Sequence, residues 1–482
     1  MLVLPQEAAL LERFAPAFTD PTYRRFLVLC VGAIVTMGRR SVSRILWSVG
    51  CLSEGHPSSY HRFFSKAVWS AWPLSRVLAA AVLELAGKVV EIDADDTVDQ
   101  HRGKKVYGKG CHRDAVRSSW GHTVFKWGHK WVVLAVNIKL PGCSRYWALP
   151  IMAALYTPPP QPAARPKRKK RKGKGKSRGG QGGKRRKAKA RPKTPARTAR
   201  HKTPAVLARQ MLAVLLHWFP NRKFILLGDW GFASHDLALF CHRHADQVTL
   251  IGRMRSDTNL YSLPSAPVPG RRGRPRRKGT KLPTPAQCAA RATARGTAEV
   301  RWYGNSVRTL ELLCGCGGWY RGRGQGCAAL VPIRWVITRD PTSGREDYFY
   351  STDTSLNAVQ IVEYFAHRWN IEVTFEEVRA HLGFETTRQW CRNSVQRTGA
   401  MVLGLFSVVS LIYAELARQK KVKVHATPCY AKTEPTFADA LAAVRTLFWQ
   451  EIILQHVPGG QLVAKLPQGI RDLLLDRLAA AA

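Results

Sequence analysis

Acids are what this sequence is short of. Asp and Glu number 32 against 76 Lys and Arg, a formal net charge of +44 at pH 7. An excess of that size points to a polyanion as partner, and a phosphate backbone is the polyanion that fits. Part of the charge is concentrated: twenty Lys or Arg and no acid lie between Arg165 and Lys202, and six more lie between Arg271 and Lys278. Setting those aside leaves about +18, so the folded part is basic as well. Disulfide-like spacing is also missing. The eleven cysteines are scattered and no secretory signal opens the chain, which points to reduced thiols in a cytoplasmic protein. Cys314 and Cys316, with Cys327 beyond, lack the paired C-x-x-C spacing of a zinc site and read as incidental thiols in a glycine-rich loop. Long apolar runs are absent too. The longest, Phe26 to Met37, is followed by Arg39 and Arg40, is too short for a bilayer and reads as a buried helix, so no membrane segment is expected. Aromatic RNA-reading motifs are likewise missing.

What is present is enough for two or three cored domains: 482 residues, 45% of them hydrophobic. Residues 1–88 carry apolar positions at helical spacing, punctuated by Pro5, Pro21, Pro57 and Pro73. Gly38-Arg39-Arg40-Ser41 and Ser58-Ser59-Tyr60-His61-Arg62 place basic and hydroxyl groups at helix starts. Helix N-termini and guanidinium groups both suit phosphates, so this stretch reads as a helical DNA-binding domain using Arg39, Arg40 and Arg62. From 89 to 157 the period changes, with strands expected over Val89 to Thr97, Lys130 to Leu140 and Tyr146 to Tyr156. Residues 158–203 collapse to Lys, Arg, Gly, Pro and Ala, too little apolar surface to order itself. They read as a disordered basic insert that holds DNA without reading sequence.

Residues 204–255 alternate helix and strand, as an α/β layer does. A helix over Pro204 to Phe219 leads to a strand over Lys223 to Asp229; Ser234 to His244 and Gln247 to Met254 repeat the pair. Residues 256–355 break the alternation with strand-like runs at 298–304, 307–313, 329–338 and 346–351, and read as a β-rich insertion carrying an Arg-rich loop. Residues 356–425 resume as helices, beginning with one long amphipathic helix from Leu356 to Leu382, and 426–482 form a helical C-terminal region. The fold class expected is α/β: a mixed sheet with helices, interrupted by the β-rich insertion and preceded by the N-terminal helical domain.

In a chain this basic, acids at strand and helix ends carry the information. Alternation along Val89 to Thr97 puts Val90, Ile92, Ala94 and Asp96 on one face and Glu91, Asp93 and Asp95 on the other. The apolar face belongs to the core, with Asp96 at its open end. Asp229 closes Phe224-Ile225-Leu226-Leu227 in the same manner. Ligands of open α/β sheets sit beyond the carboxyl ends of strands, and hard oxygen ligands suit Mg²⁺ or Mn²⁺. Any one strand-end Asp is by itself as well explained by a turn or cap. A helix over Phe365 to Leu382 would bring Phe365, Arg368, Glu372 and Arg379 within roughly 60° of one another, beside an apolar stripe of Ile371, Phe375, Val378 and Leu382. Alone, that is a salt-bridged helix face.

Taken in order, Asp-Asp-Thr at 95–97, Gly-Asp at 228–229 and this helix resemble the DDE transposases of bacterial insertion sequences, in the group with a Tyr-Arg-Glu-Lys helix signature. Arg368 and Glu372 match it; Phe365 and Arg379 stand where that group has Tyr and Lys, and Arg keeps the charge but not the Lys geometry. The resemblance covers about residues 24–420. It implies an RNase H-like catalytic domain in which Asp96, Asp229 and Glu372 hold two Mg²⁺ or Mn²⁺ ions, with Asp95 and Glu376 as alternates for the first and third ligands. It further implies cutting at transposon ends and joining to target DNA, with hairpin-ended intermediates possible, Arg368 and Arg379 clamping phosphates, a homodimer on double-stranded DNA, and a place at the bacterial nucleoid. Gly270 to Gly279 resembles an AT-hook, whose Arg272, Arg274 and Arg276 would enter a narrow minor groove; the same run also reads as a solvated charge that binds any DNA. Trp369 and Trp390 flank the helix as candidates to stack on a flipped base. Two other readings fit the same residues: a binding protein that no longer cuts, and a Mg²⁺-dependent nuclease that cuts without joining.

Overall fold

The computed structural model describes residues 4–114, 117–119, 121–159, 201–264, 276–322, 329–422, 424 and 431–479. Most of the basic insert, Arg272, Arg274 and Cys327 lie outside them.

After a 3₁₀ segment at Gln6–Ala17, the N-terminal part is helical: α1 (Asp20–Val35), α2 (Val42–Ser48), α3 (Ser58–Ser65) and α4 (Ala71–Glu84). Local chemistry sets the ends. Pro21 stands in the first turn of α1, and the Ser41 hydroxyl accepts from the Arg44 amide at 3.3 Å to cap α2. These helices share one core with the rest of the chain. Phe18, Phe63 and Trp69 meet ring to ring, and Arg397 from α10 (Arg392–Arg418) donates to the carbonyls of Phe63, Phe64 and Trp69.

The strands β1 (Val89–Gln100), β2 (Gly110–Arg113), β3 (Phe125–Lys139) and β4 (Tyr146–Tyr156) precede α5 (Pro204–Trp218), β5 (Lys223–Gly228), α6 (His235–Arg243) and β6 (Val248–Arg253). β3 runs antiparallel to both β1 and β4, whereas β5 runs parallel to β1, and β6 parallel to β5. An antiparallel meander continued by two parallel strands is the mixed sheet expected. Then come β7 (Leu260–Tyr261), α7 (Pro285–Arg291), β8 (Gly296–Arg301), β9 (Val307–Arg321), β10 (Ala329–Arg339) and β11 (Glu346–Ser351). The β-rich insertion extends the same sheet rather than forming a separate one: β11 pairs with β6 through Phe349–Arg253, Tyr350–Gly252 and Ser351–Ile251. Among the described residues the strand order is β2-β3-β1-β5-β6-β11-β10-β9-β7, with β4 on β3 and β8 on β9. Cys314 and Cys316 lie exposed in β9, not in a loop, because the glycines around them pair edge to edge with β10.

The long helix expected from Leu356 is two, α8 (Ala358–His367) and α9 (Trp369–His381), meeting at Arg368. Ile361, Val362 and Phe365 of α8 pack with Ile225, Leu227, Ile251 and Phe349 on one face of the sheet. Beyond α10 the chain ends in α11 (Phe437–His456), α12 (Gly460–Ala464) and α13 (Gln468–Ala479). Among the described residues one helix, α10, is long and apolar enough by length and composition to cross a membrane; two-thirds of its apolar window is buried inside the fold, against β4, α3, α4 and α11. Gly399 is what lets it lie close, since a Cβ there would meet the Trp131 ring at 2.1 Å.

Arg40, expected at the DNA surface, is 6% exposed. Its guanidinium donates to the carbonyls of Ala33, Gly38 and His381, tying the N-terminal helices to the end of α9, and burial pushes its pKa down to about 10. Arg39 and Arg62 are exposed. The expected outcome is therefore a split. Arg40→Met lowers the unfolding free energy by roughly 1.5–3 kcal/mol, the cost of removing charged hydrogen bonds. Arg39→Ala leaves denaturant unfolding unchanged and reduces the salt slope of DNA binding by about one.

Candidate active site

The alternation along β1 holds, but its acidic face is not open. Val90, Ile92 and Ala94 lie in the main core. Asp96, on their side, pairs with Lys130 Nζ at 2.7 Å. The opposite face meets α8 and α9 residue by residue. Glu91 Oε2 lies 2.7 Å from His367 Nδ1, and Asp93 accepts from Asn137 at 2.9 Å, whose own oxygen accepts from Asn370. Asp95 Oδ2 accepts from Arg368 Nη1 at 3.1 Å, and the Thr97 hydroxyl accepts from Arg379. Glu91 and Asp95 are buried against cationic or ionisable partners, whereas Asp93 has only an amide on one oxygen, and burial pushes its carboxyl well above the usual carboxylate range.

Arg368 is the centre of the arrangement. It is 7% exposed, and its second nitrogen donates to Glu372 Oε1 at 2.6 Å, so one guanidinium holds the carboxylates of Asp95 and Glu372. Burial works against its charge, yet Asp95, Glu372 and Asp229 together push its pKa up. Asp229 reaches this point through register. β1 and β5 pair in parallel up to Ala94–Gly228, so the next residues of the two strands are Asp95 and Asp229. Asp229 also does the ordinary work of a strand-end Asp, accepting the Gly231 amide at 2.7 Å in its own turn. Burial pushes Asp95 up to about 8 in spite of Arg368, with Asp229 and Asp96 adding to the rise. Burial also raises Asp96, offset by Lys130; Asp229 is within electrostatic reach of it too, but Arg368 and Glu372 do not contact it.

The structure thus brings together Asp95, Asp229, Glu372 and Arg368, and places Asp96 across the sheet beside Lys130. Glu376 is exposed, one turn beyond Glu372. Arg368 and Arg379 were expected on phosphates; instead Arg368 is occupied by carboxylates, while Arg379 is half-buried between Thr97 and Glu385, 3.7 Å away. The cations beside the carboxylates come from elsewhere. Exposed Arg308 and Arg345 and half-buried Arg253 line an open cleft with Asp229, Trp230 and Trp369, and Arg253 and Arg345 both pair there with Asp347, at 3.4 and 3.5 Å. Only the strand order brings them there; the one sequence signal was Arg253 at the end of a strand adjacent to that of Asp229. Trp369 and Trp390 are both substantially exposed, and Arg276 is exposed as well.

Asp95 stands where the parallel pairing of β1 with β5 stops, Asp229 just beyond the end of β5, and Glu372 on the helix above them, so the donors on this side are all carboxylate oxygens, the kind that hard divalent cations favour. A family model described as "DDE superfamily endonuclease" matches residues 13–309, more than half of the chain, and the chain belongs to that family. A second, "Archaeal putative transposase ISC1217", matches residues 330–419. Among solved structures, the chain is similar to one titled "Cryo-EM structure of piggyBac transposase synaptic complex with hairpin DNA (SNHP)". The identity is 10% and the TM-score 0.40, over 95% of this chain and 76% of that one. No curated protein matches.

Proposed function

We propose that this chain is a DNA transposase that cuts the ends of its element and joins them to target DNA, with Asp95, Asp229 and Glu372 as its metal-holding carboxylates. The observation that carries the reading is the single buried guanidinium of Arg368, which bonds Asp95 and Glu372 and is raised by Asp229. Asp95 replaces Asp96 as the first ligand, because it bonds the same guanidinium as Glu372.

The residues fit Mg²⁺ or Mn²⁺. All donors are oxygen, and a carboxyl with its pKa near 8 is one that a nearby cation would return to the ionised form. Two ions bound there would supply an activated water or 3′-hydroxyl and neutralise the leaving oxygen of an in-line displacement. The chain's own part is positional. Arg368 orients two carboxylates, the Gly231 amide orients Asp229, and the cleft cations Arg253, Arg308 and Arg345 attract the phosphate backbone. The N-terminal helices, with exposed Arg39, Arg62 and Arg44 stacked on Trp47 at 4.1 Å, and the basic segments around 158–203 and Arg276 would hold double-stranded DNA outside the site. A homodimer gripping two inverted repeats follows from the need to hold two ends together, as does work at the nucleoid.

The test is excision of a marker flanked by the DNA bordering this gene. Wild type is expected to excise and reinsert it, and Glu372→Gln to do neither while still protecting the ends from nuclease. Equal excision by both proteins would end the proposal, and cutting without reinsertion would favour a nuclease.

A further inference from the structure

A second cluster lies further along the face of β1 that carries Asp95. Asp99 stands four residues beyond Asp95, about 13 Å along an extended strand. It is 2% exposed and opposite His129 of β3, itself 1% exposed. Asp99 Oδ1 lies 3.3 Å from His129 Nδ1, and Oδ2 lies 3.3 Å from Nε2 of His101. One donor atom from each of the three residues falls within 4.8 Å of the others. Gly128 makes this closeness possible, since a Cβ there would lie 1.7 Å from the Asp99 carbonyl oxygen.

The hydrogen bonding is that of a ligand set. His129 Nε2 donates to the Tyr107 carbonyl at 2.9 Å, which in the neutral ring leaves Nδ1 free to ligate on the side of Asp99, whose Oδ1 is itself fixed by the His129 amide at 2.9 Å. Tyr107 is itself held, its amide donating to the Trp390 carbonyl at 2.9 Å. A histidine that turns one nitrogen to a carbonyl and the other inward is arranged as metal-bound histidines are. Distance argues the same way. Charge-assisted N–H to carboxylate bonds run about 2.7–2.9 Å, shorter than both contacts to Asp99. Around a tetrahedral zinc with bonds of about 2.0–2.1 Å, neighbouring ligand atoms stand about 3.3 Å apart.

We propose that Asp99, His101 and His129 form a site for a borderline divalent cation of the zinc class, separate from the all-oxygen carboxylates around Arg368. Two imidazoles and one carboxylate select Zn²⁺ or Co²⁺ over Mg²⁺. The ion pins the end of β1 to β3 and to the Lys104–Lys109 turn, and so fixes a basic surface that also includes Arg102 and exposed Trp127.

The experiment uses the full chain without a histidine tag, purified with Mg²⁺ and no chelator. Elemental analysis is expected to find one zinc per chain in wild type and in Glu372→Gln. Exchange for Co²⁺ should give one saturable visible band without thiolate-to-metal absorption, which separates this site from the cysteines. His101→Ala, the most accessible ligand, should weaken Co²⁺ binding at least 10-fold while the circular dichroism of the fold is retained; His129→Asn should abolish it. Stripping the ion from wild type should lower Tm by roughly 2–4 °C, and stripping His101→Ala should not. A wild-type chain with no transition metal and no saturable Co²⁺ band would overturn the site and leave a protonated histidine cluster. So would His101→Ala that binds as wild type does.

Discussion

Asp95→Asn is expected to lower DNA cutting by about 10³-fold, and Asp96→Asn to leave most of it. The magnitude follows from the several kcal/mol that a metal contributes to a phosphoryl transition state, at 1.36 kcal/mol per tenfold. The contrast follows from the sheet. Neighbours on a strand point to opposite faces, so only one of two adjacent aspartates can share a guanidinium with Glu372. That one is Asp95, 3.1 Å from Arg368, while Asp96 pairs with Lys130 in a partly exposed contact. Breaking such a pair costs about 0–1 kcal/mol, so Asp96→Asn should also melt close to wild type. Asp229→Asn and Glu372→Gln should match Asp95→Asn. Single-turnover cleavage of an end duplex at saturating protein separates these outcomes from weakened binding. A dead Asp96→Asn with a live Asp95→Asn would move the first ligand to the other face.

Arg368→Met is expected to fail differently from the carboxylate variants. Its apparent Mg²⁺ affinity should fall about 10–100-fold, the cost of losing a group that orients metal ligands, with activity partly recovered at high Mg²⁺. Arg368 lies inside the fold with Asp95 and Glu372 on two of its nitrogens, so its removal frees both carboxylates from the geometry it imposes. A high Mg²⁺ concentration draws them back together by mass action, which is why Mg²⁺ should rescue. A phosphate-clamping arginine would behave otherwise, raising the apparent Kd for DNA without changing the Mg²⁺ requirement. Arg368→Lys keeps the charge but not the fork, and should fall between wild type and Arg368→Met. The Mg²⁺ dependence of cutting, measured at saturating DNA, reads the difference.

Periodicity made most elements legible. β4 runs from Tyr146 to Tyr156 as the alternation indicated, and α5 begins at Thr203-Pro204, where a capping hydroxyl precedes a proline. Pairing was not legible. The acidic side of β1 reads as solvent-facing because three of its first residues are charged, and only the packing of α8, α9 and β3 reveals His367 on Glu91, Arg368 on Asp95 and Asn137 on Asp93. For the same reason Asp229 and Glu372 were visible as a strand end and a helix position, but the choice between Asp95 and Asp96 waited on register. Arg40 misled because an arginine beside a serine cap resembles a phosphate contact; its donors instead close the carbonyls of α1 and α9. The Asp99–His129 pair lies 30 residues apart in sequence and is adjacent only through the β1–β3 register, although Asp99-Gln100-His101, with its two-residue period, was the available signal.

If one carboxylate site both cuts and joins DNA, both steps should be seen when the wild-type chain and Mg²⁺ are incubated with a labelled duplex taken from the border of its own gene and a supercoiled target plasmid. A 3′-hydroxyl end is expected to be released from the duplex and then joined to the plasmid, with both products missing in Glu372→Gln. A wild-type protein that binds the duplex tightly but neither cuts nor joins it, with Mg²⁺ or Mn²⁺, would show that these carboxylates are not a transposase site.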